Sequence, residues 1–199
     1  MTPEKPLRLF TQVLQQVIPI DASQAHDFFQ HFDYQELQTD DFFVRKDQVC
    51  QRIGFIESGM IRHYYLHEGE EVTRWISLEH EFVTSLGSFI LAKPCSHYLQ
   101  AITPCRLWTI PKAVWMEQYQ QHELLRSFWL RVMEFTVIGF EDRVYQQLAS
   151  DAEQRYLYFM KHYPKFLEKV PQKYIASMIG IKPESLSRLR AKLAQKAIS

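Results

Sequence analysis

Residues 170–193, VPQKYIASMIGIKPESLSRLRAKL, constrain the fold more than any other stretch, because their spacing is that of two short helices joined by a sharp turn. Ala176 is small where two helices would cross. Gly180, four residues on, can take the positive φ of a tight turn. Leu186 and Leu189 lie ten and thirteen residues past Ala176, where a second helix buries them against the first, with Ile175, Ile179 and Ile181 completing a small core. Pro183 suits the first position of the second helix, since its missing N–H is not needed there. This is the spacing of a helix-turn-helix, a motif that lays its second helix in the DNA major groove. A plain helical hairpin would satisfy the same pattern, and charge separates the two readings. Residues 170–199 carry six basic side chains (Lys173, Lys182, Arg188, Arg190, Lys192, Lys196) and one acid (Glu184), a net of +5. The whole chain has 23 basic and 23 acidic residues, so residues 1–169 sum to −5. A basic end on an acidic body is the electrostatic footprint of a nucleic-acid-binding module.

A chain of 199 residues can bury one good core and a small second one. No apolar run approaches the roughly 20 residues of a membrane-spanning helix. The opening MTPEKPLRLF lacks the basic-then-apolar design of a secretion signal. Cys50, Cys95 and Cys105 cannot all pair internally, and no C-x-x-C is present. Reduced thiols in a cytoplasmic protein are expected, with no zinc or iron–sulfur ligand spacing.

Phe10, Val13, Leu14 and Val17 fall at helical spacing. A second helix begins near Asp21 or Ser23, either of which can cap it, and carries Phe28, Phe29 and Phe32. From Tyr34 to Ile110 the texture is of short β-branched and aromatic runs broken by turns: 41–45, 52–57, 60–66, 71–78, 97–102 and 105–110. Strands at this spacing predict an antiparallel barrel or jelly roll. A short helix over 112–120 follows. The segment from His122 to Ser150 has no Pro and is apolar over more than one face, so it predicts a long helix that needs two partners: the barrel and a second copy of itself. Phe128 and Val132 are placed on the self-association face. Ser150 and Glu153 have the spacing of a capping box for the next helix, which ends before Pro164. Pro164–Val170 reads as a linker.

Barrel, long helix and terminal helix-turn-helix in this order resemble the Crp–Fnr family of bacterial regulators. The resemblance rests on DAEQRYLYFMKHYP (151–164), on VPQKYIASMIGIKPESLSRLR (170–190), and on 82–110, which lies without a gap on the family's phosphate-binding cassette. Phe82 opens that cassette, with Leu86, Gly87, Ser96 and Ala101 in register. It implies an α+β chain with an effector domain over 1–121 (an antiparallel jelly roll with flanking helices), a dimerisation helix over 122–149 and a DNA-binding domain over 150–199. It also implies an allosteric homodimer on a two-fold-related double-stranded DNA site, with RNA polymerase and an unidentified small-molecule effector as further partners, and no cofactor, metal or membrane. Family members that bind cyclic nucleotides have a Gly-Glu pair for the ribose and an Arg for the phosphate. Here Thr84, Ser85 and Cys95 hold those positions. Losing a charge-assisted hydrogen bond to a buried phosphate costs roughly 1.5–3 kcal/mol, so the effector pocket (Thr84, Ser85, Leu86, Cys95, Ser96, His97) is expected to be divergent and blind to cyclic AMP.

At 100° per residue the second helix turns Leu186, Leu189 and Leu193 inward and Glu184, Ser187, Arg188 and Ala191 outward, with Ser185 and Lys192 flanking. Arg188 can fork onto guanine and Glu184 can accept from cytosine N4. The resemblance places its base-reading residues at the same two positions. Lys173, Lys182 and Lys192 suit phosphates. Arg190 falls nearer the buried stripe, at a phosphate or in an internal ion pair. His63 and His67 sit in strand and turn, where their spacing of four has no metal-binding meaning, and are read as surface residues. No catalytic signature is present, so an enzyme is not expected. The rival readings are a small-molecule or protein-binding sensor with weak or incidental DNA binding, and a redox sensor or enzyme built on Cys95.

Overall fold

The computed structural model describes residues 4–198. The chain forms two compact units, one drawn from the chain up to Glu71 and from Trp75–Phe135, the other from Val72–Arg74 and from Thr136 onward.

The first unit opens with helices α1 (Glu4–Gln15) and α2 (Ala22–Phe29). Asp21 caps α2: its carboxylate accepts from the Gln24 N–H at 2.9 Å, and the Gln24 side chain accepts from the Asp21 N–H. Eight strands follow: β1 (Asp33–Leu37), β2 (Phe42–Val44), β3 (Arg52–Ser58), β4 (Ile61–His67), β5 (Glu70–Ser77), β6 (Phe82–Val83), β7 (Tyr98–Ala101) and β8 (Cys105–Pro111). They form two four-stranded sheets, ordered β1-β8-β3-β6 and β2-β7-β4-β5, in which β8 pairs antiparallel with β1 and β3, β3 with β6, and β7 with β2 and β4. The six expected strands are present. The sequence reading missed β1 and β6, one mostly exposed and the other only two residues long.

Alternation along β3 and β8 explains why both read as unbroken apolar runs. Ile56 and Leu107 enter a core between the two sheets, together with Phe43, Val83, Ile61 and Leu99. Ile53, Phe55, Trp108 and Ile110 point to the opposite face and join α1, α2, α4 (Lys112–Gln121) and the start of α5 (Glu123–Ala149) in a second core. Both faces of the central strands are thereby covered. Phe10 is fully buried at the centre of that second core, with ring centroids 5.0–5.8 Å from Phe28, Phe29, Phe32, Phe55 and Phe82. Burying one such ring contributes about 1.5–3 kcal/mol.

The 27 residues of α5 extend about 40 Å. Its first turns are committed to the helical core: Leu125 and Phe128 are buried, and Leu124, Trp129 and Val132 are half-buried against it. Phe128 lies 5.4 Å from Phe82. This corrects the assignment of Phe128 and Val132 to a self-association face. The exposed apolar side chains of α5 are others, among them Leu130, Val137, Ile138, Val144, Tyr145 and Leu148.

The second unit continues with α6 (Ala152–His162), α7 (Pro164–Lys169), α8 (Gln172–Met178) and α9 (Pro183–Ile198). The cap of α6 is Asp151 with Gln154, one residue later than the Ser150–Glu153 pair expected, because Asp151 is the residue with extended backbone before the helix. Pro164–Lys169 is a helical turn and a half, not a plain linker: Pro164 starts it and Phe166 is buried, 5.7 Å from Phe159.

Candidate nucleic-acid interface and effector pocket

The turn between α8 and α9 is built by local sequence. Gly180 has φ 72°, the left-handed conformation that glycine adopts freely. The Gly180 N–H donates to the Ser177 carbonyl at 3.1 Å and the Ile181 N–H to the Ala176 carbonyl at 2.9 Å, the paired bonds that close a helix C-terminus at a glycine. Ala176 and Leu186 are fully buried, Ile175, Met178 and Ile179 nearly so, and Ile181, Leu189 and Leu193 are half-buried. Arg155 of α6 braces the turn: Nε donates to the Ile179 carbonyl at 2.8 Å and Nη1 to the Ser150 carbonyl at 2.6 Å. Nearby, the Tyr158 hydroxyl donates to Asp142 at 3.2 Å. Burial, then that carboxylate, pushes its phenol up to about 12.

With Leu186 inward, Glu184, Ser187, Arg188 and Ala191 face solvent and Ser185 is half-buried at the side. Lys173 and Lys182 are exposed, Lys173 lying over the Tyr174 ring at 4.8 Å. Arg190 is exposed, away from the buried stripe toward which the helical wheel leaned it. Lys192 is exposed but engaged: its Nζ is 2.6 Å from Glu153 Oε2 on α6. The Glu153 hydrogen bond and charge raise its pKa. Sequence could not show this pair, whose members are 39 residues apart. Lys196 lies among residues whose side chains are not described.

In the first unit the cassette folds as β6, a short helix α3 (Leu86–Leu91) and β7. Thr84 donates to the Arg52 carbonyl at 3.0 Å, and Leu86 is half-buried. Ser85, Cys95 and His97 are buried together: the Cys95 thiol is 2.9 Å from Ser85 Oγ, 3.6 Å from His97 Nδ1 and 3.0 Å from the His97 carbonyl. His63 stacks on His97 with centroids 6.1 Å apart, and its Nε2 is 3.1 Å from Ser77 Oγ. Two sequence assignments change here. Ser96 is exposed in the bend before β7 and so lies outside this cluster. His63 is buried and joins it, because β4 is covered on that face, whereas His67 is exposed at the last position of β4. Ser77, also buried, was not singled out by sequence.

Arg62, the one buried arginine among the described residues, does not serve this cluster. It neighbours His63 on the same strand, so its side chain takes the opposite face. There its Nη1 lies 2.5 Å from Glu71 and its guanidinium 4.4 Å over the Tyr64 ring. The cluster between the sheets thus consists of hydroxyls, a thiol and imidazoles. Among the described residues no group of three metal-ligating side chains is assembled, and no helix is long and apolar enough to cross a membrane.

Residues 34–122 match the cyclic nucleotide-binding domain family. No curated protein matches the chain in sequence. Among solved structures, FixK2 from Bradyrhizobium japonicum is similar with a TM-score of 0.72 at 14% identity, over 84% of this chain and 86% of that one. The c-di-GMP responsive global regulator CLP from Xanthomonas campestris gives 0.65 at 17%, over 89% and 93%. The catabolite activator protein of Thermus thermophilus gives 0.53 at 15%, over 93% and 87%. The family match is confined to residues 34–122, and the chain as a whole shares the fold of these solved structures.

Proposed function

We propose that this protein is a dimeric, sequence-specific DNA-binding transcription regulator that does not respond to cyclic AMP. The observation that carries the reading is the outward face of α9, where Glu184, Ser187 and Arg188 stand exposed opposite the buried Leu186. A helix held by its far side, with a guanidinium fork and a carboxylate presented together, suits the major-groove edges of guanine and cytosine. Lys173 and Lys182, at the ends of the motif, suit phosphates. The similarity to a catabolite activator protein and to a global regulator of gene expression supports the same reading. The exposed apolar side of α5 supports dimerisation, since contiguous exposed apolar surface of this kind marks an interaction site.

Selection of genomic fragments with the purified protein tests the reading. A recurring two-fold-related sequence, bound more tightly than scrambled duplex over a salt series, is expected; equal binding to all fragments would defeat it. The redox-sensor alternative finds no support in Cys95, which is buried, whereas reactive thiols are partly exposed in electropositive surroundings.

Cyclic AMP and cyclic GMP are expected not to bind at micromolar concentration. A cyclic phosphate placed beside Ser85, Cys95 and His97 would be buried without an arginine, while Arg62 is engaged by Glu71. Calorimetry checks this, and micromolar affinity for either nucleotide would show that the cluster rearranges to admit a phosphate.

A further inference from the structure

The first unit contains a cavity whose lining residues lie outside the cassette. It is formed by α1, α2, α4 and the first turns of α5 and has a volume of about 260 Å³. Leu14, Phe28, Leu125 and Phe128, all buried, form its walls. Gln118 lines it too. That residue is only 6% exposed, and its side-chain amide has no hydrogen-bond partner among the described residues. The amide is not sealed from solvent and reaches the cavity space. Opening onto a cavity, it is placed to bond a ligand.

Asp27 and Glu123 line the cavity, and no lysine or arginine does. The imidazole of His122 also lines it, and His26 Nδ1 lies 3.7 Å from Asp27 Oδ1, so the negative balance is greatest above the histidine range. Both carboxylates belong to exposed residues, so the charged end of the cavity faces solvent while Gln118 and the rings lie deeper. A cavity of about 150 Å³ holds one benzene molecule. On that scale this one accommodates about ten non-hydrogen atoms.

We propose that this cavity binds a small amphipathic amine, an apolar aromatic body carrying an ammonium head. The body packs against Phe28 and Phe128. The head lies toward Asp27 and Glu123 and donates to the Gln118 amide oxygen on its way in, an arrangement that a carboxylate ligand would reverse into repulsion. Glu123 opens α5 and Gln118 belongs to α4, so the bound amine bridges the two sides of the α4–α5 junction. The site is separate from the Ser85–Cys95–His97 cluster and does not depend on the DNA-binding reading.

Calorimetry at low salt on the full chain tests it, with phenethylamine, 2-phenylethanol and phenylacetate as probes. Phenethylamine is expected to bind with a dissociation constant below about 1 mM, the alcohol at least about threefold more weakly, and phenylacetate not at all. The double variant Asp27→Asn, Glu123→Gln changes only exposed residues, so its fold is kept. It should bring the amine down to the affinity of the alcohol and leave the alcohol unchanged. Leu124→Trp, at a half-buried lining position, should fill the cavity and remove binding of both, with thermal unfolding as the check that it folds. An amine that binds no better than the alcohol, or keeps its advantage in the double variant, overturns the assignment, as does failure of both to bind. None of these measurements involves DNA, so their outcome is distinct from that of the fragment selection.

Discussion

Val137→Asp with Val144→Asp is expected to yield a folded monomer that no longer binds DNA with half-site cooperation. The two residues are seven apart on α5, about 10.5 Å along one face, and are 57% and 56% exposed. Leu130 and Leu148 extend the same stripe by one heptad toward the N-terminus and by four residues toward the C-terminus, at 60% and 83%. In an isolated chain, exchange of exposed residues changes stability by only about ±0.5 kcal/mol. In a helix pair related by two-fold symmetry each aspartate enters a closed apolar seam. An unpaired buried charge costs several kcal/mol, enough to shift the dimer dissociation constant by two orders of magnitude or more. Sedimentation of wild type and variant at micromolar concentration decides the matter. A monomeric wild type would show that another partner covers this face. Phe128→Asp is not an equivalent test, because Phe128 is 2% exposed within the helical core and its replacement would unfold the first unit.

Arg188→Ala is expected to weaken binding to the selected DNA by about 1–3 kcal/mol and to relax preference at one symmetric base pair. Arg188 is exposed on the side of α9 opposite Leu186, and its planar fork matches guanine O6 and N7. Lys192→Ala is expected to act differently. It should weaken cognate and random duplex alike and lower the salt slope by about one unit per half-site. The Lys192–Glu153 ion pair sharpens the comparison. Glu153 holds the lysine when DNA is absent, so Glu153→Gln should release it and tighten both duplexes with little change in preference. Half-sites separated by about 34–36 Å are required for a dimer to engage both. Should Arg188→Ala weaken cognate and scrambled DNA equally, the arginine is a phosphate contact and the reading face of α9 is misassigned.

The helix-turn-helix was legible because each of its determinants is local. The positive φ of Gly180, the burial of Ala176 and Leu186, and the outward turn of Glu184 and Arg188 all follow from spacing within some twenty residues. Six of the eight strands described were legible for the same reason. Where the local signal was short or shared, the reading slipped. The two-residue β6 has no periodicity to detect, and α7 is a turn and a half behind a proline. The α6 cap moved by one residue because Ser150-Asp151 offers two capping side chains in succession, and backbone geometry chose Asp151.

By itself the sequence determined the kind and order of the elements, since hydrophobic period, turn residues and caps act over a few residues at a time. The tertiary structure decided which faces and charges remain available. Phe128 and Val137 are both apolar residues of one helix, yet one is consumed by a core and the other left open. His63 and His67 differ by four positions, and only the first lies under a covering sheet. Lys192 meets Glu153 across 39 residues, Cys95 meets Ser85 across a helix and its flanking turn, and Gln118 is left facing a cavity walled by α1, α2 and α5. Such meetings depend on chain topology and on packing at full density, which no local window of sequence contains.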